Sequence, residues 1–447
     1  MSARRSASSE AETRTPKSRV VAWALWDWAT QPFNSVIITF VFVSLYLVRD
    51  DFIDPDIRAL GEGNELYDAA LAHLDTQMGV AVFIAGFAVA ILAPVIGQRA
   101  DAGGKRKKWL AASTIIMTLT MFGLFFVEAD PRYFWLGAGL IAVGALFNEI
   151  GGVNYNAMLA QVSTPRTYGR VSGLGWGLGY IGGIVALIVV VFLDLNSWFG
   201  LDTSNGMAFR LIGVGAAVWT LVFAWPVFAY VPEVEGNKKR DSVSLLDSYK
   251  ILWKDIQKLW DKSRTTVWFL ISSAIYRDGL QGIFVFGAVI AAKLFGFSDS
   301  EVIMFGIAAN LIAGVSTIAS GALDDKFGPR ALVIFSLVGV LVSGGIVAGM
   351  ADSGPMVFWI AGLALTAFIG PAQSASRSFL ARVAPKGQES ELFGLYATSG
   401  RAASFLAPGA WALAIGLSGT QVWGIVAVLV IVAAGLALLI ATVEDKR

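Results

Sequence analysis

Twelve long apolar runs, separated by short polar connections, dominate this chain and leave it few ways to fold. They fall at about 20–48, 77–97, 109–128, 133–160, 171–193, 208–230, 266–292, 301–322, 330–351, 356–380, 392–415 and 421–442. A helix needs roughly 20 mainly apolar residues to cross the hydrocarbon core of a bilayer. Only helices and closed barrels satisfy their backbone polar groups there. The runs are too long for barrel strands, so the expectation is an all-α membrane protein with twelve transmembrane helices. Composition agrees: 56% of the 447 residues are hydrophobic and 15% charged, against about 25% charged in ordinary soluble domains.

Lys and Arg bias sets the orientation. With the N-terminus inside, the cytoplasmic side receives the basic tail, Arg99, Lys105–Lys108, Arg166, Arg170, Lys238 to Arg264, Lys326, Arg330, Arg377 to Lys386 and Lys446-Arg447. Both termini are then cytoplasmic. Residues 1–19 read as a disordered cytoplasmic tail and 443–447 as a short cytoplasmic tail. The acidic loop from Arg49 to Gln77 faces outward. The longest polar interruption, 231–264, divides the chain into halves of six helices, 20–230 and 265–442. Within it Leu245, Tyr249, Leu252, Trp253, Ile256 and Trp260 share one helical face, with Ser244 and Asp247 spaced as a capping box. An amphipathic helix on the inner leaflet follows.

Cysteine is absent and the single histidine, His73, lies in the acidic loop. Disulfides, thiolate metal sites and Ser-His or Cys-His catalytic pairs are therefore excluded, and neither enzyme activity nor cofactor nor metal is expected. The net charge of +1 gives no footing for nucleic acid.

An internal repeat ties the halves together. Leu159-Ala-Gln-Val162-Ser-Thr-Pro165 returns as Leu380-Ala-Arg-Val383-Ala-Pro385, 221 residues on. The segment after the first copy carries a glycine ladder. At about 100° per residue, Gly175, Gly179 and Gly182 share one face, and Gly173 and Gly177 the opposite one. Two smooth faces let two neighbouring helices approach closely, as small-xxx-small spacing does in membranes.

A second repeated pattern follows the second and eighth runs. Gly97, Asp101, Gly104 and Arg106 recur as Gly321, Asp325, Gly328 and Arg330, with Lys326 beside the aspartate. This resembles the loop motif of the major facilitator superfamily. The resemblance implies two pseudo-symmetric six-helix halves, alternating access, and an Asp that caps a neighbouring helix and pairs with a base as a conformational latch. Ala102 departs from the pattern, where a base is usual. A narrower likeness rests on Trp26-Asp27-Trp28-Ala29 with Phe33-Asn34-Ser35, on Asn156-Ala157-Met158-Leu159, Gly179-Tyr180-Ile181-Gly182-Gly183, Asp278-Gly279, Phe393-Gly394-Leu395-Tyr396 and Pro408. These are similar to the unknown-major-facilitator family, which includes the autophagy-related vacuolar amino acid effluxers.

Ionisable residues inside the bilayer persist when paired, hydrated or useful. Asp27, Glu149, Arg277, Asp278 and Arg401 fall there, leaving one carboxylate in excess. Asp27, Glu149 and Asp278 are candidate substrate or proton carriers, Glu149 beside a Gly151-Gly152 break. Arg401 is the candidate for a substrate carboxylate. Asn156, Tyr180, Gln281 and Gln373 are polar candidates, with Asn148, Asn154, Tyr155 and Asn310. Trp23, Trp26 and Trp28 read as interfacial anchors. The chain is expected to be a monomeric, proton-coupled secondary transporter of a small solute in the plasma membrane, amino acids first. The alternatives are a facilitator or exporter of a sugar or drug-like solute, and a non-transporting sensor with the same fold.

Overall fold

The computed structural model describes residues 16–233, 245–385 and 388–443. Most of the N-terminal tail, Ser244, Lys386 and Lys446-Arg447 lie outside the described residues. The principal helices are α1 (Lys17–Gln31), α2 (Glu65–Gly103), α3 (Arg106–Gly123), α4 (Phe134–Ala157), α5 (Tyr168–Leu195), α6 (Met207–Tyr230), α7 (Leu245–Lys262), α8 (Arg264–Lys293), α9 (Asp299–Phe327), α10 (Pro329–Gly349), α11 (Leu363–Val383), α12 (Glu389–Ala403), α13 (Leu406–Ser418) and α14 (Gln421–Thr442). Among the described residues, ten helices are long and apolar enough to cross a membrane. The first and eleventh expected spans are the two that are interrupted, so each falls short as a single uninterrupted helix.

Each interruption has a local cause. After α1 the chain continues in wider turns, Pro32–Phe40 and Val43–Leu47. Pro32 has no N–H to offer the carbonyl of Trp28. That carbonyl instead accepts from the Trp219 indole at 3.3 Å, and Ala29 O accepts from Thr220 at 2.9 Å. The eleventh span is split at Ser404–Phe405 into α12 and α13. The freed start of α13 is capped from α8: Ala407 N donates to Asp278 at 2.6 Å.

Three expectations are corrected. The second span begins at Glu65, capped by Asn64, and absorbs half of the acidic loop. The first helix begins at Lys17 rather than after Arg19. Gly151-Gly152 does not break α4, which runs unbroken to Ala157; Gly151 instead leaves room for the Trp26 ring.

The glycine ladder packs on both sides. Cβ atoms added at Gly175, Gly179 and Gly182 would meet Trp23, Gln31 and Trp28 of the first span. Those at Gly173 and Gly177 would lie 2.6 Å from Thr317 O and 2.3 Å from Ile318 Cγ1, both on α9. So α5 is held between α1 of its own half and α9 of the other. The equivalent pair across the halves is α2 with α12. A Cβ at Gly97 would sit 2.2 Å from Ser390 O, and one at Gly394 2.6 Å from Pro94 Cα. Overpacked contacts this close force backbone shifts. Both seams start at the face that carries the turns at Gly104 and Gly328, hereafter the loop-motif face.

Candidate functional site

Three tiers of polar contacts join the halves, climbing from the loop-motif face to mid-membrane. In the first, Asp101 accepts from Glu391 N of α12 at 2.9 Å and from Arg106 Nε at 2.6 Å. Arg106 also pairs with Glu389 of the other half. In the pseudo-symmetric position, Asp325 accepts from Gly169 N and Arg170 N at the start of α5, at 2.8 and 3.2 Å. Each aspartate thus satisfies orphan N–H groups of a helix in the opposite half, where the partial positive charge of the helix start favours a carboxylate. The bases differ. Arg330 donates to Ile440 O, and Lys326 is exposed, lying over the Phe327 ring. The bases at Asp325 are Arg382, at 3.4 Å, and Arg170, at 3.5 Å; Arg382 also holds Asp324 at 2.9 Å and donates to Pro165 O.

The second tier centres on a residue that the charge pattern counts with the cytoplasmic charges. Arg377 lies in α11 with its side chain 3% exposed. Its Nη1 donates to Asp27 Oδ2 at 3.3 Å and to Asn156 Oδ1 at 3.1 Å. Nε and Nη2 donate to Ser172 Oγ and O at 2.9 and 2.5 Å. The Trp23, Tyr155 and Trp176 rings surround it at 5.0–5.7 Å. Tyr155 donates to Asp27 at 2.9 Å and stacks on Trp23 at 4.4 Å. One guanidinium from the second half is therefore seated on three helices of the first. Trp23 and Trp26 are accordingly buried, Trp26 donating to Thr114, rather than anchors at an interface.

The third tier is the Glu149–Arg401 ion pair between α4 and α12, with side chains 38% and 36% exposed. At a similar depth Tyr180 donates to Gln373 at 3.2 Å across the halves and stacks on Phe284 at 6.3 Å. Helical rise of 1.5 Å per residue places Asp27, Tyr180, Gln373, Arg277 and Arg401 about 15–20 Å along their helices from the loop-motif face, near the middle of a ~30 Å core.

The model for "Vacuole effluxer Atg22 like" proteins matches residues 161–447. The chain belongs to this Atg22-like family. It is 24% identical over 426 residues to an uncharacterised MFS-type transporter, YxiO, of Bacillus subtilis, covering 95% of this chain and 94% of that one. It is 24% identical to autophagy-related protein 22 of Cryptococcus neoformans over 59% of this chain, spanning half of that protein. Among solved structures, the proton:xylose symporter XylE superposes with a TM-score of 0.75 at 12% identity over 96% of each chain. FucP in its outward conformation superposes at 0.71 and 11%, covering 96% of this chain and 99% of that one. Those likenesses establish the fold: the chain is an all-α, multi-pass membrane protein of the major facilitator type.

In this Atg22-like chain the interior charges divide otherwise than the sequence suggested. Adding Arg377 makes three acids and three bases, so no carboxylate is in excess. Asp278 faces α13 within its own half, where it caps Ala407. Arg277 lies over the Tyr396 ring at 3.8 Å and donates to Tyr396 O at 3.3 Å. Gln281 is exposed one turn on, Asn310 bonds within its own helix, and Asn148 donates to Asn34 at 3.0 Å. The residues that sequence reasoning missed are Arg377, Arg382, Asp324 and Glu389. One signal was available for Arg377: the 221-residue repeat makes it the mate of Asn156, the residue it touches.

Proposed function

We propose that the chain is a monomeric secondary transporter that moves a small amphoteric solute, amino acids first, across the plasma membrane by alternating access. The chain's own observation behind this reading is the stack of cross-half bonds. It closes the molecule at the loop-motif face and leaves the Glu149–Arg401 pair partly open above. Rocking of the halves about such a site is how transporters built from internal repeats expose it to either side. The loop-motif face is taken as cytoplasmic. Asp101 with Arg106 and Glu389, and Asp325 with Arg382, then form the latch of the outward-facing state.

Proton coupling is proposed at Asp27 and Glu149. Each pairs with an arginine of the other half, Arg377 and Arg401 respectively. Adding a proton to either carboxylate removes the charge that holds that arginine, so protonation and separation of the halves become linked. Support also comes from relatives: the matching family model is named for a vacuole effluxer and XylE is a proton symporter.

The test is uptake of a labelled amino acid mixture into proteoliposomes, with and without an inward proton gradient. Accumulation above equilibrium with the gradient, lost in Asp27→Asn and Glu149→Gln, is the expected result. Uptake that is indifferent to the gradient and to neutralising Asp27, Glu149 and Asp278 together would overturn the coupling. Folded protein that takes up nothing would overturn the choice of cargo.

A further inference from the structure

The interior of this chain offers an anion, not a cation, its open partner. Along α8, Arg277, Gln281 and Phe284 are spaced i, i+4 and i+7, which places them on one helical stripe. The position of that stripe is given by its last member. Phe284 stacks on Tyr180 of the opposite half at 6.3 Å, and Tyr180 reaches Gln373. The stripe therefore faces the space between the halves, and Gln281, in its middle, is exposed. The opposite face of α8 is closed by packing: Cβ atoms added at Gly279 and Gly282 would meet Val432 and Ala407 at 2.6 and 2.8 Å.

Charge on the two faces is unequal. Asp278 is on the closed face, spent on the N-terminus of α13. Asp27 and Glu149 each pair with an arginine. Arg277 alone of the three interior arginines has no carboxylate among its described contacts. Its guanidinium is laid flat on Tyr396, 3.8 Å from the ring centre, and one N–H goes to Tyr396 O. Stacking holds the plane, and among the described contacts its N–H groups meet acceptors on Tyr396 alone, neither of them a carboxylate, an arrangement suited to capture of a planar anion. Of the six interior charges, those facing the seam sum to three arginines and two carboxylates.

We propose that Arg277, oriented by Tyr396, is the binding residue for a carboxylate or similar anionic group on the transported solute, and that Gln281 lines the same subsite one turn away. This rests on the reading of the chain as a small-solute transporter and specifies the solute's chemistry. An amino acid would place its carboxylate on Arg277. A solute with no anionic group would leave this guanidinium uncompensated when the cavity closes, a cost that excludes amines and neutral sugars as good substrates.

The chain has no cysteine, so one introduced thiol reports its surroundings without interference. The experiment uses the full chain carrying Gln281→Cys, treated separately with an anionic sulfonatoethyl and a cationic trimethylammonioethyl methanethiosulfonate. Rates are normalised to a free thiol. The expected result is about tenfold preference for the anionic reagent, the order of enhancement that a charged cleft gives. Arg277→Gln brings the ratio close to one, Arg277→Lys preserves its sign, and propionate slows the anionic reagent where propylamine does not. Equal rates, a ratio that survives Arg277→Gln, or an introduced thiol that reacts with neither reagent would overturn the proposal. So would failure of every carboxylate to protect. These rates are read without transport, so a chain that carries no solute in vesicles can still pass or fail this test.

Discussion

The two seams between the halves do the same job with different materials. At α5–α9 the contact is backbone on backbone. Gly173 and Gly177 lie against Thr317 O and Gly314 O, and Gly321 against Gly169 O. At α2–α12 glycines are sparser, Gly97 and Gly394, and the seam is joined by polar groups. Pro94 deprives Ala90 O of its usual helical donor, and Thr398 of the other half supplies one at 3.0 Å. Asp101, Arg106 and Glu389 then form a buried triad at its end. Dispersion between smooth helices is additive and tolerates sliding. A buried triad is closer to all-or-none, because removing one member strands the others. We read α5–α9, where Asp325 adds the weaker half of the latch, as the surface on which the halves pivot, and α2–α12 as the side that carries the main lock.

Substitutions on either side should separate the two seams. Removing Arg377 is the largest change, because Asp27 loses its partner while Ser172 and Asn156 lose their donor. Arg377→Ala should destabilise the closed state by about 3–5 kcal/mol, the usual cost of stranding a buried charge. Arg377→Lys should recover only part, since an ammonium cannot reproduce the planar fork. Thermal unfolding in detergent, with hydrogen exchange over α5 and α11, measures both. Asp101→Asn comes next, at about 2–3 kcal/mol, because Arg106 would remain buried with Glu389 as its remaining carboxylate partner among those described.

Asp325→Asn should cost less, about 1 kcal/mol. The amide oxygen still accepts from Gly169 N, and Arg382 retains Asp324. If the two substitutions cost the same, the distinction between a locking and a pivoting seam fails. Gly177→Ala adds a methyl 2.3 Å from Ile318 Cγ1 and 2.9 Å from Gly314 O, whereas Gly97→Ala adds one 2.2 Å from Ser390 O and 2.7 Å from its carbonyl carbon. Both should open their seams, at about 1–3 kcal/mol, the second by more because its nearest neighbours are all backbone. Spin-label distances across each seam would tell them apart. Lys326→Ala, though it lies in the repeated motif, should shift stability by less than about 0.5 kcal/mol, because its side chain is exposed and lies over Phe327.

Much of this architecture was legible in the residues, for a physical reason. Apolar length, basic loops and glycine spacing are local properties, and the two glycine faces of α5 found their two neighbours. Of the repeated loop motif, Gly97, Asp101, Arg106, Gly321 and Asp325 meet the opposite half, whereas Arg330 bonds within its own and Lys326 is exposed. What sequence could not resolve was direction and depth. Arg377 sits six residues from the end of α11, among residues that count with the cytoplasmic charges, and only its contacts show that it turns inward. Asp278 and Arg277 are adjacent, yet one turns into its own half and the other to the seam. The base paired with Asp324 and Asp325 comes from α11, more than fifty residues away, and no local spacing encodes that. The helix break before α13 does have a signal in Pro408, which offers no N–H to the carbonyl of Ser404 at the break; the cap from Asp278 becomes visible only in three dimensions.

Covalently joining the seam that is proposed to lock is the decisive experiment. Ala90 and Thr398, already in contact through a hydrogen bond, are replaced by cysteines in this cysteine-free chain and bridged by an oxidant-formed disulfide or a short bis-methanethiosulfonate reagent. Uptake into proteoliposomes is then followed before bridging, after it, and after reduction. Bridging is expected to abolish uptake, and reducing a disulfide to restore it, because α2 and α12 must part for the site to reach the loop-motif face. Full uptake through a completely bridged protein would contradict a locking seam at α2–α12.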